Sequence, residues 1–368
     1  MANPGIDRIK PHMVLPDAST HKTDPILLNS NESAYGPSPA ARAAAQSAVD
    51  AIERYIEAPG RFLIPALAAR YRLDPERIAI GFGSDDLIAR LARAYLAPGD
   101  ELIRTANGYL KVPNYAYASG ASVISVPDAE FVPSVDAMLA ALTPRTRVVY
   151  VANPENPAGT YISGAEIDRL HAQLPAHVLL VLDCAYEEYV TAADYAPATT
   201  LVEEAQNVVV TRTFSKAHGL AGARVGWAYG PPEIVDILSR IGVTFPMTSP
   251  SLAAALAALE DRGHVDEVCR RNADERARLS QGLAAMGLKV TPSQTNFVLV
   301  HFPGPAHSAA GAERFLAKRG ILIRRFAAPA FSGALRITLG LPEQNAACLA
   351  ALDAFLKPPP DAAKGRPG

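Results

Sequence analysis

A lysine that follows a strand-like apolar run is the residue best placed to do chemistry in this chain. The β-branched run Val208-Val209-Val210 leads to Ser215-Lys216, and Arg224 follows after a loop of small residues. Desolvation at the end of a buried strand favours the neutral, nucleophilic form of a lysine, which can form a Schiff base with an aldehyde. A guanidinium group pairs with phosphate. The two side chains together predict a ligand that carries an aldehyde and a phosphate, as pyridoxal phosphate does.

Polar residues also end two apolar runs that precede this lysine along the chain. Asn156 follows the run at 148–151, and Asp183 and Tyr186 follow the run at 178–182. Because parallel strands bind ligands at their carboxyl ends, we expect these side chains to meet. Asp183 would keep a pyridine nitrogen protonated, while Asn156 and Tyr186 would donate hydrogen bonds to a phenolate oxygen. In isolation, Asp183 would more often cap a helix, Asn156 would form a turn and Tyr186 would pack in the core. The convergence of the three residues favours a cofactor site.

A second anion-binding segment lies further upstream. The run Gly81-Phe82-Gly83-Ser84-Asp85-Asp86 precedes an amphipathic pattern that predicts a helix with Leu87, Ile88 and Leu91 on its apolar side. Free backbone N–H groups at the start of such a helix suit a phosphate. The residues predicted to surround the phosphate are Gly83, Ser84, Ser215 and Arg224.

The composition argues against several other classes of function. The 368 residues are 49% hydrophobic and carry a net charge of −2, which allows a large core and offers no basic field for nucleic acid or an anionic membrane. The cysteines, Cys184, Cys269 and Cys348, are odd in number and widely spaced, so they indicate neither a disulfide framework nor a metal site. No apolar run reaches the ~20 residues of a membrane span, and no secretory signal is visible. These features predict a cytoplasmic globular protein.

The order of the elements predicts an α/β fold. Between the runs at 148–151 and 178–182 lies the capping box Ser163-Gly164-Ala165-Glu166, which starts a helix. Strand, helix and strand in this order indicate a large domain with a mostly parallel central sheet.

Beyond residue 235 the pattern changes and predicts a smaller α+β domain. A long helical stretch at 251–286 is followed by strands at 296–300 and 335–339 and a last helix at 348–356. The predicted division is an N-terminal arm over 1–35, a large cofactor-binding domain over 36–235, a small C-terminal domain over 236–357 and a disordered tail over 358–368.

Taken in order along the chain, these motifs resemble the class II aminotransferases of fold type I, and within them the histidinol-phosphate aminotransferases. The motifs that carry the resemblance are Gly83-Ser84-Asp85, Tyr109, Asn-Pro-x-Asn-Pro-x-Gly at 153–159, Asp-x-Ala-Tyr at 183–186, Ser215-Lys216 and Gly-Leu-Ala-Gly-x-Arg at 219–224. Supporting segments are 28–32, Arg54-Tyr55, 226–230, Asn296-Phe297 and 335–338. The resemblance spans roughly residues 8–356.

The resemblance implies a role for each candidate residue. Lys216 would form the Schiff base with pyridoxal phosphate and carry the proton, Asp183 would bind the pyridine nitrogen, and Tyr109 would stack on the ring. Ser84, Asp85, Ser215 and Arg224 would surround the phosphate. Because the family's sites form across a dimer interface, the resemblance also implies a homodimer in which the partner subunit's Tyr55 joins the phosphate group.

On the substrate side, the resemblance implies transfer of an amino group from an amino acid or an amino-alcohol phosphate to a 2-oxo acid. Arg336 would hold the anionic group of the substrate and Arg324 would add a second contact, with salt bridges as the ordinary alternative. The chain departs from the family pattern at Glu155, Ala158 and Cys184, none of which is assigned to cofactor chemistry.

Three other functions remain open from the sequence. A decarboxylase of the threonine-phosphate type would keep the cofactor and break a different bond. A pyridoxal-sensing module would need a DNA-binding domain, and no basic recognition helix is apparent. Departures at Pro11-His12, 56–62 and 242–248, and a short loop between Arg324 and Arg336, favour specialised biosynthetic work on an unusual amino acid.

Overall fold

The computed structural model describes residues 5–9 and 24–357. The strands, in chain order, are β1 (Ile26–Leu28), β2 (Ile78–Gly81), β3 (Glu101–Thr105), β4 (Ser122–Val126), β5 (Thr146–Ala152), β6 (Leu179–Asp183), β7 (Val208–Thr213), β8 (Gly226–Tyr229), β9 (Lys289–Thr291), β10 (Phe297–His301), β11 (Ile321–Ile323) and β12 (Ala334–Thr338). The helices are α1 (Pro39–Ser47), α2 (Gly60–Tyr71), α3 (Ser84–Tyr95), α4 (Val112–Ala118), α5 (Val135–Ala140), α6 (Gly164–Gln173), α7 (Thr199–Glu204), α8 (Pro232–Arg240), α9 (Ser249–Glu260), α10 (Arg262–Ala285), α11 (Ala309–Ala317) and α12 (Pro342–Leu356).

A seven-stranded sheet in the order β2-β8-β7-β6-β5-β3-β4 forms the centre of the large domain. Neighbouring strands from β7 to β4 are parallel, whereas β8 is antiparallel to both of its neighbours. Every residue of β6 and β7 is buried, and the side chains alternate between two cores: Val208 and Val210 pack in one and Val209 in the other. Continuous apolar runs are what a sheet covered on both faces requires. The predicted α/β architecture is confirmed.

The helix α6 begins as predicted, but its capping box is only half formed. Ser163 Oγ accepts a hydrogen bond from the backbone N–H of Glu166 at 3.3 Å. The Glu166 carboxylate binds the guanidinium of Arg169, one turn further along the helix, at 2.7 Å. The reciprocal half of the box is therefore replaced by a surface ion pair at i,i+3 spacing.

The prediction of one helical stretch over 251–286 is wrong in one respect, because the chain forms two helices there. Helix α9 ends at Glu260 and α10 begins at Arg262. Asp261 separates them, and its side chain accepts a hydrogen bond from the backbone N–H of His264 at 3.2 Å. Aspartate at a helix N-cap is a start signal that the apolar periodicity of the stretch conceals.

Helices α8 and α9 pack on the large sheet. Leu252 and Leu259 of α9 belong to the same core as Val208, and Leu238 of α8 belongs to the core that contains Val209. The domain boundary predicted at residue 236 stays a prediction, and this packing is a reason to place the division later, at Asp261.

The C-terminal part forms the smaller α+β unit. Strands β12, β10 and β9 make an antiparallel sheet in that order, and α10, α11 and α12 contribute to its core. From the N-terminal arm, β1 pairs in parallel with β11, so this part of the arm joins the small unit. Pro11-His12 and the tail at 358–368 lie outside the described residues. Across residues 5–9 and 24–357, no helix is both long and apolar enough to cross a membrane.

Candidate active site

A cleft of about 250 Å³ opens where β5, β6 and β7 end. It lies at the carboxyl ends of parallel strands, the position at which α/β sheets bind ligands. The sequence-predicted residues that line it are Ser84, Asp85, Tyr109, Asn156, Asp183, Tyr186, Ser215, Lys216 and Arg224. The convergence expected from three separate strand ends is therefore present in one cavity.

Asp183 provides a buried carboxylate in the wall of the cleft. The hydroxyl of Tyr150 donates to its Oδ2 at 2.7 Å, and the hydroxyl of Thr211 donates to its Oδ1 at 3.1 Å. Burial raises the pKa of Asp183 to about 6, and these two hydrogen bonds only partly oppose that rise. A carboxylate in this position is stabilised by a cation bound in the cleft.

Lys216 and Tyr186 face each other across the cleft, with Nζ of the lysine 5.6 Å from the centre of the tyrosine ring. The Tyr186 hydroxyl accepts a hydrogen bond from Nδ2 of Asn31 at 2.9 Å and a long one from Nδ2 of Asn156 at 3.5 Å. Asn31 was not assigned a role from the sequence. Its left-handed backbone, with φ of 56°, is a conformation that asparagine tolerates better than most residues.

The cradle for an anion forms between the start of α3 and the loop before β8. Helix α3 begins at Ser84, and Gly83 before it has no side chain with which to cap the free N–H groups. One guanidinium nitrogen of Arg224 donates to Ser215 Oγ at 3.2 Å and to the Ala221 carbonyl at 3.0 Å. A Cβ at position 83, where φ is 82°, would lie 2.5 Å from the Arg224 guanidinium. Glycine therefore lets the arginine approach the helix N-terminus.

Asp85 lies between two phenols. Tyr109 donates to Oδ1 of Asp85 at 3.1 Å, and Tyr115 donates to the same oxygen at 3.0 Å. Burial and the Asp85 charge raise the pKa of both tyrosines, so both hydroxyls stay protonated. Tyr115 lies on α4, six residues after Tyr109, and the sequence motifs do not predict its role.

The predicted substrate residue Arg336 lies directly behind the cleft. Its guanidinium donates to Asn156 Oδ1 at 2.6 Å and to the Asn29 carbonyl at 2.8 Å. Burial lowers the pKa of this arginine to about 10. Arg324 is its cross-strand neighbour, since the two backbones exchange hydrogen bonds of 2.9 and 3.1 Å. The structure thus brings the two arginines together, while their binding of an anion stays a prediction.

Tyr55 is placed apart from the residues that line this chain's cleft. Its side chain is 75% exposed and stacks on Phe245 with ring centres 4.2 Å apart. This position agrees with a residue that serves a neighbouring subunit, and that role stays a prediction.

The donor set fits pyridoxal phosphate. A guanidinium, a serine hydroxyl and a helix N-terminus lie at one end of the cleft, and the partly compensated carboxylate of Asp183 lies in its wall. The first group suits a phosphate and the second suits a protonated pyridine nitrogen. Lys216 lines the same cavity, where an aldehyde would meet it.

Comparison with known proteins agrees with this chemistry. The family "Aminotransferase class I and II" matches residues 23–352. The chain is 45% identical over 333 residues to a histidinol-phosphate aminotransferase of Rhodopseudomonas palustris strain HaA2. This alignment covers 90% of this chain and 91% of that protein. A histidinol-phosphate aminotransferase of Granulibacter bethesdensis is 44% identical over 358 residues, covering 97% and 96% of the two chains.

A solved structure extends the comparison to the fold. The crystal structure of histidinol-phosphate aminotransferase from Sinorhizobium meliloti in complex with pyridoxal-5'-phosphate aligns with a TM-score of 0.89 at 30% identity. The alignment covers 95% of this chain and 96% of that chain. The resemblance seen in the motifs and the predicted fold type are both confirmed. The chain belongs to the class I and II aminotransferase family and is a pyridoxal-phosphate-dependent transaminase.

Proposed function

We propose that the residues gathered in the cleft hold the cofactor in the roles that their chemistry suits. Arg224, Ser215 and the first N–H groups of α3 bind the phosphate, and Asp183 binds the protonated ring nitrogen. Asn156 and Tyr186 lie at the phenolate oxygen, and Tyr109 covers the ring. When bound, pyridoxal phosphate supplies an electron sink for the carbanion left by removal of the α-proton. The observation that carries this proposal is the meeting of Lys216, Asp183 and the anion cradle in one cavity.

Lys216 moves the proton in this proposal. Its Nζ takes the proton from the α-carbon of the bound amine as a general base. The Tyr186 ring lies 5.6 Å from that nitrogen, and Asn31 fixes the tyrosine through its hydroxyl. The Tyr186 ring beside the lysine is thus held in place before substrate binds, which limits the reorganisation needed during the reaction.

We propose an amino-alcohol phosphate, of the kind for which the relatives are named, as the amino donor, and a 2-oxo acid as the acceptor. The backbones of Arg336 and Arg324 pair directly, and the Arg324 charge contributes to the lowered pKa of Arg336. Two positive charges this close to each other support an anionic substrate group. Decarboxylation is not favoured, because these relatives are named as aminotransferases. The predicted cytoplasmic location and the lack of nucleic-acid and membrane partners stay predictions from the sequence.

A panel of amino donors tests the substrate proposal. We expect histidinol phosphate to convert the bound cofactor at least about 100-fold more efficiently than phenylalanine, tyrosine or glutamate, since charged hydrogen bonds to phosphate are worth roughly 1.5–3 kcal/mol each. The measurement is single-turnover loss of the visible absorption band of the bound cofactor. In Arg324→Gln, KM for histidinol phosphate should rise about tenfold while KM for phenylalanine changes less than about twofold.

Two results would count against this assignment. Faster conversion of phenylalanine or glutamate than of histidinol phosphate would reject the phosphate donor and favour a specialised substrate. An equal rise of KM for both donors in Arg324→Gln would show that the arginine does not read the phosphate.

We propose further that the chain works as a homodimer with shared sites. Apolar side chains are exposed directly beside cofactor residues, as with Phe82 next to Gly83 and Leu110 next to Tyr109. Ile52 and Phe62 are exposed close to Tyr55 in sequence, and the exposed ring of Phe245 stacks on the Tyr55 ring. Exposed apolar surface of this kind marks an interaction site. A second copy that covers it would bring its Tyr55 to the phosphate cradle.

Mixing two defective variants tests this arrangement. Lys216→Ala and Tyr55→Ala should each have little activity, because one lacks the proton carrier and the other lacks a phosphate contact. Mixed dimers would contain one site with both residues intact, so re-association of equal amounts should restore roughly a quarter of the wild-type activity. If the mixture is no more active than its components, Tyr55 does not act across subunits.

A further inference from the structure

Glu155 is a buried carboxylate to which the sequence assigns no role in the site. It lies on the loop after β5 and is 2% exposed. Its Oε1 accepts hydrogen bonds from the backbone N–H of Asn156 at 3.0 Å and from the backbone N–H of Tyr109 at 3.1 Å. One oxygen atom therefore joins the loop that follows β5 to the loop that follows β3.

Both of the tied residues reach into the cleft with their side chains. The Asn156 amide contacts the Tyr186 hydroxyl on one side and accepts a hydrogen bond from Arg336 on the other. The Tyr109 hydroxyl donates to Asp85. A shift of either backbone would move a side chain proposed to contact the cofactor, so the carboxylate acts on the site through its neighbours.

The surroundings hold Glu155 firmly in this position. Its backbone N–H donates to the Thr160 carbonyl at 2.7 Å, and its own carbonyl accepts from Gly159 at 2.8 Å. A Cβ at position 108 would lie 2.6 Å from Oε2. Glycine before Tyr109 is thus what lets the two loops close around the carboxylate.

We propose that Glu155 is a positioning residue of the transamination site, which ties the backbone of Tyr109 to the backbone of Asn156 and so fixes the two side chains that flank the bound cofactor. This inference rests on the roles proposed above for Tyr109 and Asn156. Glu155 lies outside the cleft, at a position where this chain departs from its family's pattern. Its proposed role is to hold the cofactor-contacting residues in place, which the roles of Tyr109 and Asn156 alone do not include.

The charge of Glu155 can be separated from its positioning role. Burial raises the pKa of Glu155 to about 8, and the charge of Asp183 on β6 adds to that rise. Arg104 of β3 and the two backbone N–H donors favour the ionised form and only partly oppose it. Both N–H groups donate to Oε1, which accepts them whether or not Oε2 carries a proton. Glutamine keeps that acceptor oxygen, whereas alanine removes it and aspartate is one methylene too short to reach both donors.

The sign of the pH effect follows from that raised pKa. The folded protein keeps the Glu155 proton up to about pH 8, while the unfolded chain loses it near pH 4.5. The stabilising contribution is complete below the unfolded value and is lost as pH rises through the folded value. Glutamine has no such loss, so the unfolding midpoint of Glu155→Gln should rise relative to wild type between pH 5 and 8.5 in the cofactor-free protein.

The test compares Glu155→Ala, Glu155→Asp and Glu155→Gln with a control, Glu101→Ala. Glu101 is buried, is hydrogen-bonded to Thr143 and Arg145, and lies at the opposite end of β3 from the cleft. The readouts are the dissociation constant of pyridoxal phosphate from the apoprotein, kcat and KM separately, and the unfolding midpoint at each pH. We expect alanine and aspartate to weaken cofactor binding at least about tenfold, and glutamine to stay within about threefold of wild type.

The control variant separates a loss of cofactor positioning from a general loss of stability, and the wild type tests cofactor binding itself. Glu101→Ala should lower the unfolding midpoint and leave the cofactor dissociation constant within about twofold of wild type. Equal weakening in Glu101→Ala, wild-type binding in Glu155→Ala, or the same loss in Glu155→Gln as in alanine would overturn the positioning role. Failure of the wild type itself to bind pyridoxal phosphate would instead reject the proposed function.

Discussion

Replacement of Lys216 by alanine is expected to lower the rate of amino transfer by at least about 10⁴-fold, because both a nucleophilic amine and a general base are lost. The lysine follows β7 in the wall of the cleft that contains Asp183 and Arg224. The phosphate cradle remains in this variant, so the cofactor should still bind, with a shifted absorption spectrum. Loss of catalysis with retained binding is the signature expected of a residue that reacts rather than one that only holds the fold.

The measurement is steady-state transamination together with the visible spectrum of the purified variant. Lys289→Ala serves as the matched control, because Lys289 is an exposed lysine that pairs with Glu130 on the surface. It should keep both the wild-type spectrum and the wild-type rate. A Lys216→Ala protein with an unchanged spectrum, or with more than about a hundredth of the wild-type rate, would contradict the proposed role of the lysine.

Replacement of Asp183 by asparagine is expected to have two opposite effects. Loss of the carboxylate at the ring nitrogen should lower kcat by about 10²–10³-fold, the usual cost of removing a preorganised electrostatic partner. The cofactor-free protein should become more stable at pH 8, because the buried charge is gone. The pKa of Asp183 is raised from 3.8 to about 6, which corresponds to roughly 3 kcal/mol.

The pH dependence separates these effects. The contribution of Asp183 to the free energy of unfolding is complete below its unfolded pKa and is lost as pH rises through about 6. Asparagine cannot ionise, so the stability difference between variant and wild type should be large at pH 8 and small at pH 4. Asp236→Asn, on the exposed side of α8, should show neither the kinetic loss nor the change in stability with pH. An Asp183→Asn protein with the kcat of the wild type would refute the pairing of Asp183 with the ring nitrogen.

The fold could be predicted where the sequence repeats one simple environment. Strands β5, β6 and β7 are continuous apolar runs because helices cover both faces of the sheet, and this pattern is visible without a structure. The division between α9 and α10 was concealed, because an aspartate cap interrupts an otherwise helical composition by a single residue.

Only part of the candidate site can be predicted from the sequence. Residues that directly follow strands, such as Asp183 and Lys216, converge because parallel strands end at one edge. The sequence does not predict a role for Asn31, because its hydrogen bond to Tyr186 joins positions 155 residues apart and no local pattern reveals such a contact. The sequence gives Glu155 no role toward the cofactor, because it does not show that the Glu155 carboxylate turns back onto the backbone of Tyr109.

The most direct test of the central claim asks which residue carries the cofactor. Borohydride reduction of the purified protein, followed by proteolysis and mass spectrometry, locates any lysine joined to the aldehyde carbon of pyridoxal phosphate. We predict that the added mass lies on the peptide that contains Lys216, and that it is absent after reduction of Lys216→Ala. Attachment at any other lysine, or none in the wild-type protein, would contradict the proposed site.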